Sequence, residues 1–241
     1  MLLVTPIAFT MIDWEALRRV VPGTRFFNEA FIEFDVTDTD HLGEFAGRSC
    51  YKAFGRERAE TATTAGYLNN ILTQGHYSVL EHASVSFHVS EGSRSMLLEL
   101  ERHRHISLSV ESQRYVDQTK SHPLPVVPAD FGAALWAELD RHYADSMDRY
   151  EAAVERLLAQ GKTLKEARGA ARAFLPESTP VDFVVTANLR AWRDVLGKRH
   201  HVAAENEIRE FAAQVLSHLR VIAPLSVQDI SEVPYGSEVT Q

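Results

Sequence analysis

Ala83-Ser84-Val85-Ser86-Phe87-His88-Val89-Ser90 alternates without a break between apolar and polar residues. Ala83, Val85, Phe87 and Val89 share one face, and Ser84, Ser86, His88 and Ser90 share the other. That two-residue period is a strand with one buried side. Helical patterns surround it. Upstream, Ser78 to Glu81 spaces serine and glutamate as a capping box, and Arg58 to Gln74 reads as a helix closed by Gly75. Thr39 to Phe54 has helical spacing through Leu42, Phe45, Ala46 and Cys50, and Ala30 to Val36 alternates as a further strand. Downstream, Ser93 caps a short helix through Met96, Leu97 and Leu100. That helix delivers Arg102 to Arg104 at its C-terminal end, where the helix dipole favours cations.

The second half of the chain is mostly helical. The Pro-rich stretch His122 to Pro128 reads as a linker. Phe131 to Gln160 is a long amphipathic helix with Trp136, Leu139, Tyr143, Met147, Tyr150, Val154 and Leu157 on one stripe, ended by Gly161. Thr163 to Glu166 is another capping box, opening a helix that runs to Leu175 before Pro176 stops it. Val181 to Thr186 is apolar enough for a buried strand, and helices follow near 188–198 and 202–220. Strands and helices mix without regular alternation. The expected fold is therefore α+β: a helix-rich single domain with a small mixed or antiparallel sheet. Residues 1–28 read as an N-terminal arm, 29–225 as the main domain and 226–241 as a tail.

Composition narrows the function. The chain has 241 residues, 45% hydrophobic and 24% charged, as in ordinary globular domains. Uncharged stretches such as Ile106 to Val110 and Ser121 to Ala129 are too short to span a bilayer. The first residues lack the basic start of a secretory signal. A lone cysteine, Cys50, cannot pair internally, which fits a reducing, cytoplasmic setting. With 25 Lys and Arg against 33 Asp and Glu, the net charge is −8. No nucleic-acid partner is expected of so acidic a chain, and no membrane partner. Two local windows invert the balance: Arg102, Arg104 and Arg114 against Glu111, and Arg190, Arg193, Lys198 and Arg199 against Asp194. Cationic islands in an acidic protein point to a compact anionic ligand.

The usual motifs for such a ligand are missing. No G-x-G and no G-K-[ST] occurs, so side chains and helix ends must hold any phosphate. Five of eleven histidines fall within thirty residues, at His76, His82, His88, His103 and His105. Their spacing does not match a metal site, and no metal is expected. Cys50 sits mid-helix without an activating context, where a cysteine is most simply a small buried apolar residue. The richest segment runs from Arg102 to Tyr115. It interleaves three arginines with Ser107, Ser109 and Ser112 and ends on an aromatic ring. Guanidinium forks suit phosphate oxygens, and hydroxyls complete their hydrogen bonds.

Arg102-His103-Arg104, seven residues, then Ser112 resembles the signature of the flavin-dependent thymidylate synthases. Two blocks in the same order strengthen the resemblance: Gly75 to His82, and Ala171-Arg172-Ala173-Phe174-Leu175-Pro176 followed by Asn188-Leu189-Arg190 and Arg199. The likeness spans roughly residues 30 to 222. It implies methylation of dUMP to dTMP, with methylenetetrahydrofolate giving the carbon and FAD, reduced by NADPH, giving the hydride. It also implies a homotetramer whose sites are shared between subunits. No cysteine nucleophile is needed, in keeping with the plain setting of Cys50.

By position, the resemblance implies flavin contacts at Ser78, Glu81, Arg102, His103, Arg104, Val110, Asn188, Leu189, Arg190 and Asp194. It implies nucleotide contacts at Glu99, Arg102, Val110, Glu111, Ser112, Gln113, Arg114, Arg172 and Arg199. Arg199 is the expected catalytic residue, because a fixed guanidinium stabilises a uracil ring ionised at N3. Three positions depart from the pattern. Val110 replaces a polar residue and offers only backbone groups. Asp194 stands where Asn or His is common, and Cys50 where Ser can occur. The Val110 departure motivates an alternative, a non-catalytic nucleotide- and flavin-binding member of the same fold.

Overall fold

A computed structural model describes residues 1–22, 36–56 and 58–237. Four strands form one antiparallel sheet: β1 (Leu3–Phe9), β2 (Ser84–Ser93), β3 (Ile106–Val110) and β4 (Pro180–Asn188), in the order β1-β2-β4-β3. β2 behaves as its alternation demands. Val85, Phe87 and Val89 are fully buried, while the serines and His88 between them are half exposed. The helices among the described residues are α1 (Trp14–Val20), α2 (Asp38–Tyr51), α3 (Thr64–Thr73), α4 (Arg94–Leu100), α5 (Gln118–Ser121), α6 (Ala133–Ala159), α7 (Leu164–Ala171), α8 (Leu189–Arg199) and α9 (Asn206–Ile222). None is long and apolar enough to cross a membrane.

The apolar face of the sheet lies in one core with α3, α4, α8 and α9. α9 supplies Ile208, Phe211, Ala212, Val215, Leu216, Leu219 and Ile222, a buried stripe at three- and four-residue steps. Its polar residues hold the outer edge of β1. Gln214 accepts from the Val4 amide and donates to the Leu2 carbonyl, and His218 Nε2 lies 2.8 Å from the Val4 carbonyl. An edge strand presents unpaired backbone groups, and here side chains from a helix occupy them. Residues 3–9 are thus built into the sheet, where the sequence reading saw only an arm of mixed character.

Several local signals form as written. Ser93 caps α4 by accepting from Met96 N, and Thr163 and Glu166 form both halves of a capping box on α7. Gly75 and Gly161 take left-handed backbone angles, φ +68° and +80°. Others do not form. Ser78 to Glu81 makes no capping box, because Tyr77–Glu81 is a single 3-10 turn with no side-chain cap. The helix expected over 58–74 is split into a 3-10 turn, Ala59–Thr61, and α3 capped by Thr63. The helix expected to reach Leu175 ends at Ala171 and tightens to a 3-10 turn through Phe174. The strand expected over Ala30–Val36 lies outside the described residues, apart from Val36, which belongs to no strand. β3 lies inside the Arg102–Tyr115 segment, where no strand is expected from the sequence. Its residues pair with Phe183 to Ala187 of β4, a register that only the neighbouring strand supplies.

Two buried carboxylates join α2 to the rest. Asp40 accepts from the backbone amides of Leu225 and Ser226 and from the Ser226 hydroxyl, so it anchors the chain beyond α9. Glu44, fully buried, accepts from Arg48 Nε at 2.7 Å and Thr64 Oγ1 at 2.7 Å, and pairs with Arg56 Nη1 at 2.9 Å. Burial pushes the Glu44 carboxyl up, but His41, Arg56, Arg48 and Thr64 outweigh it and hold the group below its ordinary value of 4.5. A lowered folded-state pKa adds stability above the unfolded value, and that stability is lost as pH falls through the folded one. Glu44→Ala should therefore cost about 3–5 kcal/mol near neutral pH in urea unfolding, since it strands buried guanidinium groups. The gap to wild type should narrow below pH 4.5. A gap constant from neutral to acid pH would contradict this account.

Candidate functional site

α8 begins and ends at the residues that matter. Asn188 closes β4 and caps the helix, its side chain accepting from Ala191 N at 2.9 Å. Trp192, Val195 and Leu196 turn into the core, which leaves Arg190 and Asp194 exposed and puts Arg199 at the C-terminal end. Arg190 forms an ion pair with Glu81 across an open rim, next to exposed Ser78. Leu189 is 1% exposed and its amide donates to Ala83 O, so neither its side chain nor its N–H is left for a ligand.

Arg199 meets the end of α4. Its Nη1 donates to Glu99 Oε2 at 2.6 Å and its Nη2 to the Glu99 carbonyl at 2.9 Å. Its Nε donates to His103 Nε2 at 3.1 Å. The imidazole is nearly closed off, with a side chain 4% exposed. Its Nδ1 faces Asp194 Oδ2 at 3.3 Å, and Lys198 binds the same carboxylate at 2.7–2.8 Å. Burial pushes His103 below its ordinary pKa, against the opposing hydrogen bond from Asp194. For Asp194, burial acts upward, but Lys198 and His103 prevail and lower it. Arg199 keeps two N–H bonds uncommitted, and its side chain is 17% exposed.

A second cluster follows β3. Glu111 accepts from Gln118 Nε2 at 2.9 Å and lies 3.0 Å from His122 Nε2, while its backbone carbonyl accepts from Arg94 Nη2 at 3.2 Å. These contacts hold the start of the turn that carries Ser112, Gln113 and Arg114, which folds back through Tyr115 N and Val116 N to Ser112 O. Arg114 lies along α7, whose Arg168 reaches Tyr115 O and Asp117. Arg94 Nε is buried without a hydrogen-bond partner among the described residues. Burial pushes the Arg94 guanidinium below its ordinary pKa, and the neighbouring Arg172 adds to that. Two adjacent guanidinium groups, one with an orphaned N–H, favour an anion between them. Arg94, Gln118 and His122 were missed in the sequence. His122 stands in the Pro-rich stretch that reads as a linker, and its contact with Glu111 is what marks it.

The two cationic islands separate on inspection. In the second, acids remote in sequence pair with all three arginines: Glu81 with Arg190, Glu99 with Arg199, and Asp229 with Arg193 in a two-pronged pair at 2.6 and 2.7 Å, while Lys198 pairs with Asp194 one turn back on the same helix. Arg193 is a clamp on the C-terminal segment, with its cation also 5.1 Å from the Tyr77 ring centre. In the first, no hydrogen bond or ion pair engages the guanidinium of Arg102, Arg104 or Arg114, nor that of Arg172, among the described residues. Val110 ends β3 with its side chain against the core. Cys50 is exposed on α2, contrary to the expectation of a buried residue, because the helix turns His41 and Glu44 inward instead. Among the described residues, no group of three or more His, Cys, Asp or Glu could hold a metal ion.

The family model described as thymidylate synthase complementing protein, Thy1, matches residues 34–225. A probable flavin-dependent thymidylate synthase of Mycobacterium phage L5 is 46% identical over 248 residues, covering 95% of this chain and 98% of its own. The flavin-dependent thymidylate synthase of Mycobacterium tuberculosis (strain ATCC 25618 / H37Rv) is 42% identical over 219 residues, covering 84% and 86%. Among solved structures, Thymidylate Synthase X from Helicobacter pylori with FAD and dUMP superposes with a TM-score of 0.60 at 20% identity, over 94% of this chain and 99% of that one. A UMP/dUMP methylase from Streptomyces cacaoi bound with 5-Br dUMP gives 0.65 at 19%, over 97% and 96%. At these identities the structures speak for the fold.

Gln118→Leu removes one of the donors that pin Glu111. The amides of Ser112 to Val116 should then exchange about fivefold faster, the equivalent of a hydrogen bond of about 1 kcal/mol. Unchanged exchange would show that the turn is held from elsewhere.

Proposed function

Because the chain belongs to the Thy1 family, the flavin-dependent thymidylate synthases, we propose that it methylates dUMP to dTMP. Methylenetetrahydrofolate is the carbon donor. FAD, once reduced by NADPH, supplies the hydride that completes the methyl group. The working unit is a homotetramer with sites shared between subunits, in the cytoplasm, where a lone thiol stays reduced.

The observation that carries the reading is Arg199, brought by α8 against Glu99 of α4 with two N–H bonds unspent. A guanidinium keeps its charge at any working pH, so it accepts no proton. Its part is electrostatic. Beside a uracil it lowers the cost of the anion formed when N3 ionises, and that electron density raises nucleophilicity at C5. C5 then attacks the folate methylene carbon as the first of its two carbon–nitrogen bonds breaks; the second breaks as the C5 proton passes to the departing folate nitrogen, leaving at C5 a methylene that a hydride would convert to the methyl group. Glu99 holds Arg199 in place and presents a half-exposed carboxylate to the nucleotide.

The nucleotide phosphate suits Ser112, Gln113, Arg114 and Arg172, with the orphaned Nε of Arg94 behind them. Glu111 acts through that turn rather than on the ligand, since its carboxylate is spent on Gln118 and His122. A flavin dinucleotide fits the unpaired guanidinium groups of Arg102 and Arg104, with Arg102 also at the nucleotide side. Arg190 and Glu81 on the rim, exposed Ser78 and the Asn188 amide complete that set. Leu189 is left out of the proposed contacts, and Val110 keeps only backbone groups for them. Val110 packs on the core, so this departure bears on strand packing and gives no support to a non-catalytic reading.

Purified protein should carry or take up FAD, oxidise NADPH faster with dUMP, and form dTMP when the folate is added. Arg199→Ala should lose about 10²–10³ in turnover, or about 2–4 kcal/mol, as for a lost oxyanion donor. Colourless protein that cannot bind FAD would refute the function. Undiminished turnover in the variant would remove Arg199 from the mechanism.

A further inference from the structure

The chain of contacts behind Arg199 determines a proton position. Arginine Nε always bears hydrogen. Its contact with His103 Nε2 at 3.1 Å therefore makes that nitrogen an acceptor. The single N–H of a neutral imidazole must then sit on Nδ1, where Asp194 Oδ2 receives it at 3.3 Å. Asp194 is anchored in turn by Lys198, one turn further along α8. Both ring nitrogens are thus spent, and the side chain is 4% exposed. Nothing on the ring is left to meet a cofactor.

We propose that His103 and Asp194 are positioning residues, a carboxylate–imidazole pair that aims the Arg199 guanidinium, rather than the flavin contacts expected of them. The proposal deepens the reading of Arg199 given above and rests on it. It also gives a reason for the acid at 194. A carboxylate favours the Nδ1–H tautomer, and so secures the Nε2 lone pair that Arg199 needs. Without that lone pair, the guanidinium is held by Glu99 alone and can swing. Protonation of His103 would turn Nε2 into a donor facing Arg199, with Lys198 on α8 and Arg102 and Arg104 beside it in the chain adding positive charge; among the described residues Asp194, Glu99 and, two residues back in the chain, Glu101 oppose it. Burial, which lowers the His103 pKa, keeps the ring neutral and the contact intact at ordinary pH.

Two readouts test this. In steady-state assays, His103→Ala should lower kcat by about 10²-fold, the cost of a misplaced catalytic group. FAD affinity and KM for dUMP should change less than about threefold. Asp194→Asn keeps an acceptor for Nδ1–H and should stay within about threefold of wild type, whereas Asp194→Ala should lose about tenfold. In an Arg199→Ala background, neither His103→Ala nor Asp194→Ala should cost anything further. Independently of activity, nitrogen-15 NMR of labelled histidine should show His103 as the Nδ1–H tautomer in wild type and as a mixture in Asp194→Ala. Asp194 is exposed, so its variants answer if His103→Ala fails to fold. A weakened FAD affinity with kcat preserved at saturating FAD would overturn the proposal, as would an Nε2–H tautomer in wild type. Wild-type protein without dUMP-dependent turnover would refute the function instead, and the NMR result would still decide the geometry.

Discussion

Trp192 is buried against β2. Its indole N–H donates to the Val85 carbonyl at 3.1 Å, and its ring stands edge-on to Phe87 with centroids 5.2 Å apart. A Trp this deep needs a partner for its single donor, and few backbone carbonyls of a central strand are free to give one. The contact fixes the rotation of α8 about its axis. Once Trp192 faces the sheet, Arg190 and Asp194 must point away from it, and Arg199 must emerge at the C-terminal end beside α4. The core packing and the placement of the charged residues are one constraint.

The same logic holds α4. Ser93 caps the helix and also gives its amide and hydroxyl to Glu207 at 2.7 and 2.6 Å. Glu207 opens α9, whose apolar stripe covers the sheet. The strand β2, the cap of α4 and the first turn of α9 therefore meet at one serine. Glu99 lies at the far end of α4, less than two turns on, and inherits that rigidity. Sites built on helices anchored in this way hold side chains more firmly than sites on loops. The turn at 111–116 lacks such an anchor and relies on the Glu111 contacts instead.

Charge follows a related division. Arg193, Arg190 and Arg199 look alike in sequence, within one helix. In space each meets a different acid: Asp229, Glu81 and Glu99. Arg193 loses its fork to a two-pronged pair and becomes a structural clamp. Arg199 keeps two N–H bonds because one of its contacts is a backbone carbonyl and another an imidazole. Among the described residues, Arg102, Arg104 and Arg172 meet no acid. Among the described residues, acids are thus spent on some guanidinium groups and withheld from others, and the withheld ones are those proposed to meet phosphate.

The amino-acid order alone determined the elements whose signal is local. The alternation of β2, the caps at Ser93 and Thr163, the left-handed glycines at 75 and 161 and the helical run of α6 all depend on residues within a turn or two of one another, although of the expected α6 stripe only Tyr143, Met147 and Tyr150 are buried and Trp136 is exposed. The run from Arg102 to Ser112 likewise carries the resemblance to the family in local sequence alone. What tertiary structure decided was every feature that needs a partner from afar. β1 alternates poorly, and β3 alternates over only five residues, Ile106-Ser107-Leu108-Ser109-Val110, between charged flanks; both take their place as strands because β2 and β4 offer open edges. Ser78 and Glu81 have capping spacing, yet Glu81 pairs with Arg190 and the box does not close. Cys50 is exposed because Glu44, less than two turns earlier on the same helix, claims the interior with two arginines. The tautomer of His103 follows from Arg199 and Asp194, some ninety residues later in the chain, and hydrogen bonds across that separation leave no periodic trace in sequence.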